Sequence, residues 1–477
     1  MLGTLTLLVF ATLVGGGIWL GTGGRRTVAL AAVDADQLLW VRGGIALVAL
    51  LWVTVIVAGY LLLVPRGLSR GRRVLGSLAV LLMVAAVVAP AVLASRVATA
   101  QRDLIAGVFL EDRRSATVQD TPDPFGDQER VNVLLLGGDG GEGREGVRTD
   151  TVIVASIDTD TGDTVLFSLP RNLEDLPFPA DSPLAAIYPE GFDAGSESES
   201  LLNAVYRNGP AGHPGVLGPT DDPGADFLKL GVGEALGLPI DYFVLVNLDG
   251  FSRLVDALGG ITVDVNYWVP INGDPGTGQL PDDYITPGPD QHMDGFTALQ
   301  FARGRFGLTD YDRMARQRCT IDAIIDAAAP ATLLRKYQEL ASTTQDILST
   351  DIPPSALDDF VELGFLVKDA DVRSVVFDVS VINPAYPDYD LIRQIVRDAI
   401  ATPAPPEEAS ATGSGPTRAP QGGEAADPTT TDPTTPAPTT TAPTAAGPAA
   451  DVSDVCGYDP AQAQEALAAG KPPIRRR

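Results

Sequence analysis

The sequence predicts an α/β protein. Three N-terminal transmembrane helices lead into an extracellular α-β-α domain with a central mixed sheet, and a disordered Pro/Thr-rich tail follows. Three observations carry this prediction. Apolar stretches of spanning length precede residue 102. Residues 128–401 alternate strand-like and helix-like patterns, the signature of helices packed on a sheet. Residues 402–450 are dominated by Pro, Thr, Ala and Gly and hold no aromatic residue, a composition that cannot bury a core.

The apolar stretches are Leu2–Leu20, Gly43–Val64 and Val74–Ala94. Each is close to the ~20 residues that cross a bilayer. The first lacks a basic leader and is followed by two more, so it reads as a retained span rather than a cleaved signal. Arg66, Arg70, Arg72 and Arg73 crowd the second loop, whereas Asp34 and Asp36 dilute Arg25, Arg26 and Arg42 in the first. Positive loops stay cytoplasmic, so the third span runs outward and everything beyond it is expected outside. The protein is thus expected to be a multi-pass cell-membrane protein. No ionisable residue interrupts a span, which argues for an anchor and against transport.

Charge divides at the same place. Residues 1–102 carry nine Arg and two Asp, against a chain total of −27, so the exterior part is strongly acidic. Nucleic acid as the main partner is excluded on that balance, because phosphate backbones need a basic face.

After a linker over 103–127, Val131–Leu136 reads as a buried strand, and Thr151–Asp158 and Thr164–Leu169 as two more joined by a polar turn. Tyr242–Asn247 and Ile261–Val265 are strands flanking a helix, Leu248–Leu258, which stops at Gly259-Gly260. Asp310–Ala328 and Leu391–Ile400 are amphipathic helices; residues 180–222 and 271–290, rich in Gly, Pro and Asp, are expected as surface loops. The last piece, 451–477, holds Cys456 and a short helical pattern at Pro460–Ala469.

Only two histidines, His213 and His292, and two cysteines, Cys319 and Cys456, are present, which excludes His-rich zinc and Cys₄ chemistry. Gly138–Gly143 matches G-x-G-x-x-G, but another strand follows where a dinucleotide site needs a helix. Carboxylate, arginine and backbone chemistry remain. They concentrate in Leu299–Gln317. If Leu299–Arg305 is extended, Arg303 and Arg305 point to one face. On the next helix Arg313, Arg316 and Gln317 stand at i, i+3 and i+4, with Met314, Ile321 and Ile325 on the buried side.

Four converging arginines repel one another without an anion, and guanidinium forks fit phosphate oxygens. The competing reading pairs them with Asp310 and Asp312. Arg148 and Asp150 at one strand start, Arg171 beyond a strand end and Asp139 at another weigh against that reading. Two strand-end aspartates among arginines suit a Mg²⁺-dependent pyrophosphate site.

These pieces resemble the LytR-CpsA-Psr family of cell-wall glycopolymer ligases. The resemblance rests on VNVLLLGGDG (131–140), VRTDTVIVASID (147–158), SLPRN (168–172), LLNAVY (201–206), the 237–265 stretch, MDGFTALQFARGRF (293–306) and DYDRMARQR (310–318). It implies transfer of a glycopolymer from a polyprenyl-pyrophosphate carrier in the membrane onto peptidoglycan through a phosphodiester bond. It further implies that Arg148, Arg171, Arg303, Arg305, Arg313 and Gln317 hold the pyrophosphate, that Asp139 and Asp150 bind Mg²⁺, and that the lipid tail enters an apolar groove. Asp150 and Asp310 are the candidate general bases, and metal-bound carboxylates being poor bases favours Asp310.

Departures from the family pattern are Asn172 after Pro-Arg171, Leu201 where a lysine is usual, and Gly138-Asp139-Gly140-Gly141 without its serines and arginine. The alternative from another class is a non-catalytic binder of polyprenyl phosphate or glycopolymer. A membrane-bound regulator is a third, without any DNA-binding pattern to support it. Finally, two cysteines in an oxidising exterior predict a Cys319–Cys456 disulfide that docks the C-terminal segment beside the arginine-bearing helix.

Overall fold

A computed structural model describes residues 35–65, 69–109, 113–118, 124–126, 128–138, 147–328, 348–368, 370–401 and 449–475. The expected first span, the glycine motif beyond Gly138 (Asp139 included), and nearly all of the Pro/Thr-rich stretch lie outside the described residues.

Helices α1 (Ala35–Leu63) and α2 (Arg70–Val108) form an antiparallel pair. Both are long and apolar enough to cross a membrane, over Gln37–Leu62 and Arg70–Thr99. Trp40, Leu61, Val74 and Leu75 stand exposed along them. At 39 residues α2 is about 58 Å long, well beyond a bilayer core of ~30 Å. Its end therefore runs past the predicted stop, and residues 103–108, expected as linker, are helix. Leu38, Ala98 and Ile105 pack with Val131, Val133, Tyr242 and Ile352, so the helical pair shares an apolar cluster with the domain.

The domain is built on a seven-stranded mixed sheet. Strands β1 (Arg130–Gly138), β2 (Thr149–Asp158) and β3 (Thr164–Leu169) form an antiparallel meander. Short helices α3 (Pro183–Ile187) and α4 (Glu197–Ser200), then α5 (Leu202–Gly212) and α6 (Pro223–Leu236), lead to β4 (Tyr242–Asn247), parallel to β1. After α7 (Leu248–Leu258) come two small pairs, β5 (Ile261–Val265) with β8 (Gly288–Met293) and β6 (Val269–Ile271) with β7 (Asp283–Ile285). Helices α8 (Gly295–Arg303) and α9 (Asp310–Ala327) follow, then β9 (Leu348–Thr350), α10 (Leu357–Lys368), β10 (Val372–Val376) and α11 (Tyr389–Ala401). The C-terminal segment adds β11 (Ala450–Asp451), α12 (Val452–Cys456) and α13 (Pro460–Ala469). Sheet order is β11-β10-β3-β2-β1-β4-β9.

Period-two alternation sorts the layers. Leu134, Leu136, Val152, Val154, Val165 and Phe167 join Val205, Phe227, Leu228, Ile392 and Val396 in the largest core, beneath α5, α6 and α11. Leu135, Ile153, Ala155 and Leu166 face the other way, toward α9 and α12.

Two expected loops carry structure. Residues 180–222 hold α3, α4 and α5, with Leu184, Phe192, Leu202 and Val205 buried; Gly and Pro content misled because Pro183 sits in the first turn of its helix. Residues 271–290 contain β7 and the start of β8. Leu299–Arg303 is helical rather than extended. Asp294 caps α8 by accepting from the Thr297 amide at 2.8 Å, and Ala298 and Phe301 bury one face. Gly295 is required there, since a Cβ would lie 1.9 Å from the Ser252 carbonyl oxygen. Ala450, placed by sequence in the tail, is already in β11.

The C-terminal segment docks. Cys319 and Cys456 are bonded across a Cα separation of 5.4 Å and 137 positions. Val452 is fully buried, the Trp268 indole donates to the Ala466 carbonyl at 2.9 Å, and Lys471 pairs with Asp283. Closing so long a loop is worth about 4–5 kcal/mol on the chain-entropy account.

One buried ion pair ties α6 to the residue just past β9. Lys229 Nζ meets Asp351 at 2.7 Å, both side chains almost fully enclosed, and donates to the Asp241 carbonyl at 2.8 Å; Asp351 also accepts from the Phe243 amide. Asp351→Ala leaves a buried ammonium unpaired and is expected to cost roughly 3–5 kcal/mol. Urea unfolding of variant and parent measures it, and a loss below ~1 kcal/mol would mean that water reaches the pair.

Candidate active site

The carboxyl ends of β1 and β4 open onto a cavity of about 810 Å³ between the sheet and helices α7, α8 and α9. That volume suits a small-molecule site, typically about 300–1,000 Å³. Its wall is mostly apolar: Leu135, Ile153, Val244 and Val246 from the sheet, Phe251 and Leu254 from α7, Leu299 from α8, and Ile321, Ile324 and Ile325 from α9. Ile321 and Ile325, assigned by periodicity to the core, are half-buried and line this space instead. Its polar lining includes Asp150, Arg303, Arg305, Arg313 and Gln317, with Asp274 and Asp282 on the 271–290 stretch.

Local sequence explains each placement. A capping box opens α9: Thr309 Oγ1 accepts from the Asp312 amide, and Asp312 accepts from the Thr309 amide at 2.8 Å. One turn in, Arg313 is buried, donates Nη1 to the Asp150 carbonyl at 2.7 Å, and grips Asp310 through Nε (3.1 Å) and Nη2 (2.9 Å). Gln317 donates to Thr151 Oγ1 at 2.8 Å. Arg303 closes α8, and Gly304 lets the turn press against β6, where a Cβ would sit 2.6 Å from the Pro270 carbonyl. Arg305 follows, 3.8 Å from Asp310.

Arg171, just past β3, donates to Asp150 Oδ1 at 3.0 Å and lies 3.4 Å from Asp310. Three guanidiniums thus surround two carboxylates, with one positive charge in excess and Arg303 on the same wall. Burial would raise the Asp150 carboxyl, but Arg171, Asn203 and Arg313 outweigh it and hold the group below its ordinary value. Burial, then the charges of Arg171 and Arg313, pull the Arg305 guanidinium down against the opposing charges of Asp150 and Asp310.

Two arginines leave the expected group. Arg316 is buried and donates to the Phe301 carbonyl at 2.6 Å, to the Gly304 carbonyl, and to the Tyr267 hydroxyl at 3.0 Å. Helical rotation of 100° per residue turns it about 60° from Arg313, away from the cavity. It fixes the Arg303–Arg305 turn from behind. Arg148 does not line the cavity but pairs with Glu199 at 2.6 Å. Asn203, quoted in LLNAVY without a role, donates to Asp150 Oδ1 at 3.2 Å. No local sequence signal joins it to Asp150, which lies 53 positions earlier. Leu201 is half-buried at the start of α5, and Asn172 is exposed.

For Mg²⁺, Asp150 supplies an ionised hard oxygen on the cavity wall, while Asp139 lies outside the described residues. Among the described residues no three His, Cys, Asp or Glu side chains are placed to hold a metal. That donor set fits an ion held by one or two carboxylates plus substrate phosphates, the usual Mg²⁺ pattern, and not an all-protein cage.

A lowered carboxyl pKa stabilises the fold above its unfolded value and loses that contribution as pH falls through the folded one. The stability gap between parent and Asp150→Asn should therefore be full at neutral pH and shrink below about pH 4. Denaturation midpoints from pH 7 to 3 read this out; a constant gap would show that the ion pairs do not set the Asp150 charge.

The LytR_cpsA_psr family matches residues 108–383. A polyisoprenyl-teichoic acid–peptidoglycan teichoic acid transferase, TagU of Enterococcus faecalis, is 29% identical over 232 residues, covering 47% of this chain and 62% of the relative. TagV of Bacillus subtilis, of the same description, is 27% identical, with 44% and 46% covered. The matched stretch thus spans between about half and three fifths of these relatives. The crystal structure of B. subtilis TagV is 22% identical with a TM-score of 0.39, covering 57% of this chain and 96% of that one. With more than half of its length matched, and with the arginine-bearing segments inside the match, the chain belongs to the LytR_cpsA_psr family.

Proposed function

We propose that this protein transfers a glycopolymer from a polyprenyl-pyrophosphate carrier to peptidoglycan. One observation carries the reading: a single cavity is lined both by a broad apolar wall and by Arg303, Arg305, Arg313 and Asp150, complementary to a ligand with an apolar chain and a dianionic head. The teichoic acid transferase names of the relatives support it. The anchor helices would keep the site beside the membrane that holds the carrier. Arg70, Arg72 and Arg73 at the start of α2 favour an inside loop and a domain on the outer face.

An acceptor hydroxyl oxygen attacks the glycan-bearing phosphorus, forming a phosphodiester. The bond from that phosphorus to the bridging oxygen breaks, and polyprenyl monophosphate leaves. The hydroxyl proton passes to a carboxylate at the head site, Asp310 or Asp150. Arg171, Arg303, Arg305 and Arg313 neutralise charge on the non-bridging oxygens, with Gln317 orienting one of them. Such a reaction is mainly positioning and charge neutralisation. Mg²⁺, held by Asp150 and Asp139 together with the phosphates, would supply further neutralisation when bound. In the resting protein Asp310 orders the guanidiniums, and phosphate oxygens replacing it on Arg305 and Arg171 would release it as a base.

Transfer of a defined lipid-pyrophosphate glycan onto peptidoglycan oligomers with Mg²⁺ tests the reading. Carrier binding without turnover would instead favour the non-catalytic binder.

Arg303→Ala and Arg305→Ala are each expected to lower transfer at least about tenfold, since one charge-assisted hydrogen bond is worth ~1.5–3 kcal/mol. Unchanged carrier affinity and turnover in both would move the head group elsewhere. Asp139→Asn and Asp150→Asn should raise the Mg²⁺ concentration needed for half-maximal rate, and full activity in chelator would remove the metal. Asp310→Asn should abolish the acidic limb of the pH–rate profile; persistence of that limb assigns the base elsewhere.

A further inference from the structure

Alternation along β2 separates two sides of the head site. Thr151 and Ile153 face the apolar cavity, whereas Val152 and Val154 lie under α5. Asp150 stands at the edge between them. It lines the cavity, yet its Oδ1 is held from the α5 side by Asn203, and the Asn203 amide in turn donates to the Arg171 carbonyl.

Beyond Asn203, on that same side, is a second polar group. Glu199 accepts from Arg148 at 2.6 Å, from Arg207, and from the Asn208 side-chain amide at 2.8 Å. The side chains of Arg148, Glu199 and Arg207 are each about a third exposed (29%, 35% and 33%), so their planar faces are reachable from solvent while their geometry is fixed by one another. Asn203 itself is 94% enclosed, since only 6% of it is exposed, and its Oδ1 has no hydrogen-bond partner among the described residues. A buried acceptor without a donor is costly and marks a place that a bound donor group or water completes.

An in-line displacement needs the attacking oxygen opposite the leaving group. With the lipid phosphate leaving toward the apolar cavity, attack comes from the α5 side. We propose that Glu199, Arg207 and Asn208 form the acceptor subsite and take a hydroxyl-rich peptidoglycan saccharide. This rests on the transferase reading above. Guanidinium and amide donors beside carboxylate oxygens suit vicinal hydroxyls, N-acetyl carbonyls and a muramyl carboxylate. The saccharide hydroxyl then meets the phosphorus across Asp150, and its proton passes to the head-site base already named, Asp310 or Asp150.

The test uses the full chain in lipid nanodiscs, with a peptidoglycan-derived oligosaccharide and farnesyl pyrophosphate as separate probes in calorimetry. Arg207→Ala and Asn208→Ala should each weaken oligosaccharide binding about tenfold and raise the acceptor KM to match, with farnesyl pyrophosphate binding within about twofold of the parent. Arg207→Lys, which keeps the charge but loses the fork, should fall between and guards against misfolding of the alanine variant. Unchanged oligosaccharide affinity in both alanine variants overturns the proposal. So does a raised donor KM with an unchanged acceptor KM, which would place the transferred glycan on these residues. A parent that binds the oligosaccharide but transfers nothing sinks the transferase reading while leaving the subsite standing.

Discussion

Guanidinium groups do not gather unaided. Two unit charges 6 Å apart repel by about 3 kcal/mol at an effective dielectric of ~20. The head site exists because Asp150 and Asp310 lie between Arg171, Arg305 and Arg313. Asp310 is held by two prongs of Arg313 and approached by both other arginines, so one side chain sets the spacing of the cluster. The carboxylates reduce the repulsion without cancelling it, and the residual positive field is what the dianionic head of the proposed carrier would meet. A site neutralised in full would bind no anion; one without carboxylates would not stay assembled.

Around that cluster the fold supplies rigidity from behind. Arg316 spends its donors on the carbonyls of Phe301 and Gly304, converting the end of α8 into a fixed shelf for Arg303 and Arg305. Tyr267 and Phe301 flank its guanidinium at 5.7 and 6.0 Å, so the group is stacked as well as hydrogen-bonded. The capping box at Thr309 and Asp312 does the same for Arg313. At the other end of the sheet, Asp226 accepts from Ser115, Ala116 and Thr117, which carries the chain leaving α2 directly onto α6. The cavity is thereby tied to the apolar helical pair.

Where local pattern and tertiary packing agreed, the sequence was legible to the residue. Thr164–Leu169, Tyr242–Asn247, Leu248–Leu258, Ile261–Val265 and Pro460–Ala469 stand as the periodicity and turn residues place them. Failures came where partners distant in sequence decide. The exception is local: the extended geometry weighed for Leu299–Arg305 from the spacing of two arginines gives way to helix as far as Arg303, which the Asp294 cap and the Ala298–Phe301 stripe favour. Arg316 counted with the anion cluster because a helical face a third of a turn wide cannot tell a cavity from a neighbouring carbonyl. The pairing of Glu199 with Arg148 joins residues 51 apart, and nothing local announces it.

The Cys319–Cys456 bond makes a covalent ring of the chain between them. Residues 402–448 lie within that ring, joining α11 to the strand that completes the sheet edge. A protease that cut there would not shorten the molecule. It would yield two chains still fastened through sulfur and through the β10–β11 pairing, with the arginine helix and its docked segment in place. The length and composition of that stretch can consequently drift, and even its peptide continuity can be lost, without the domain losing its last strand.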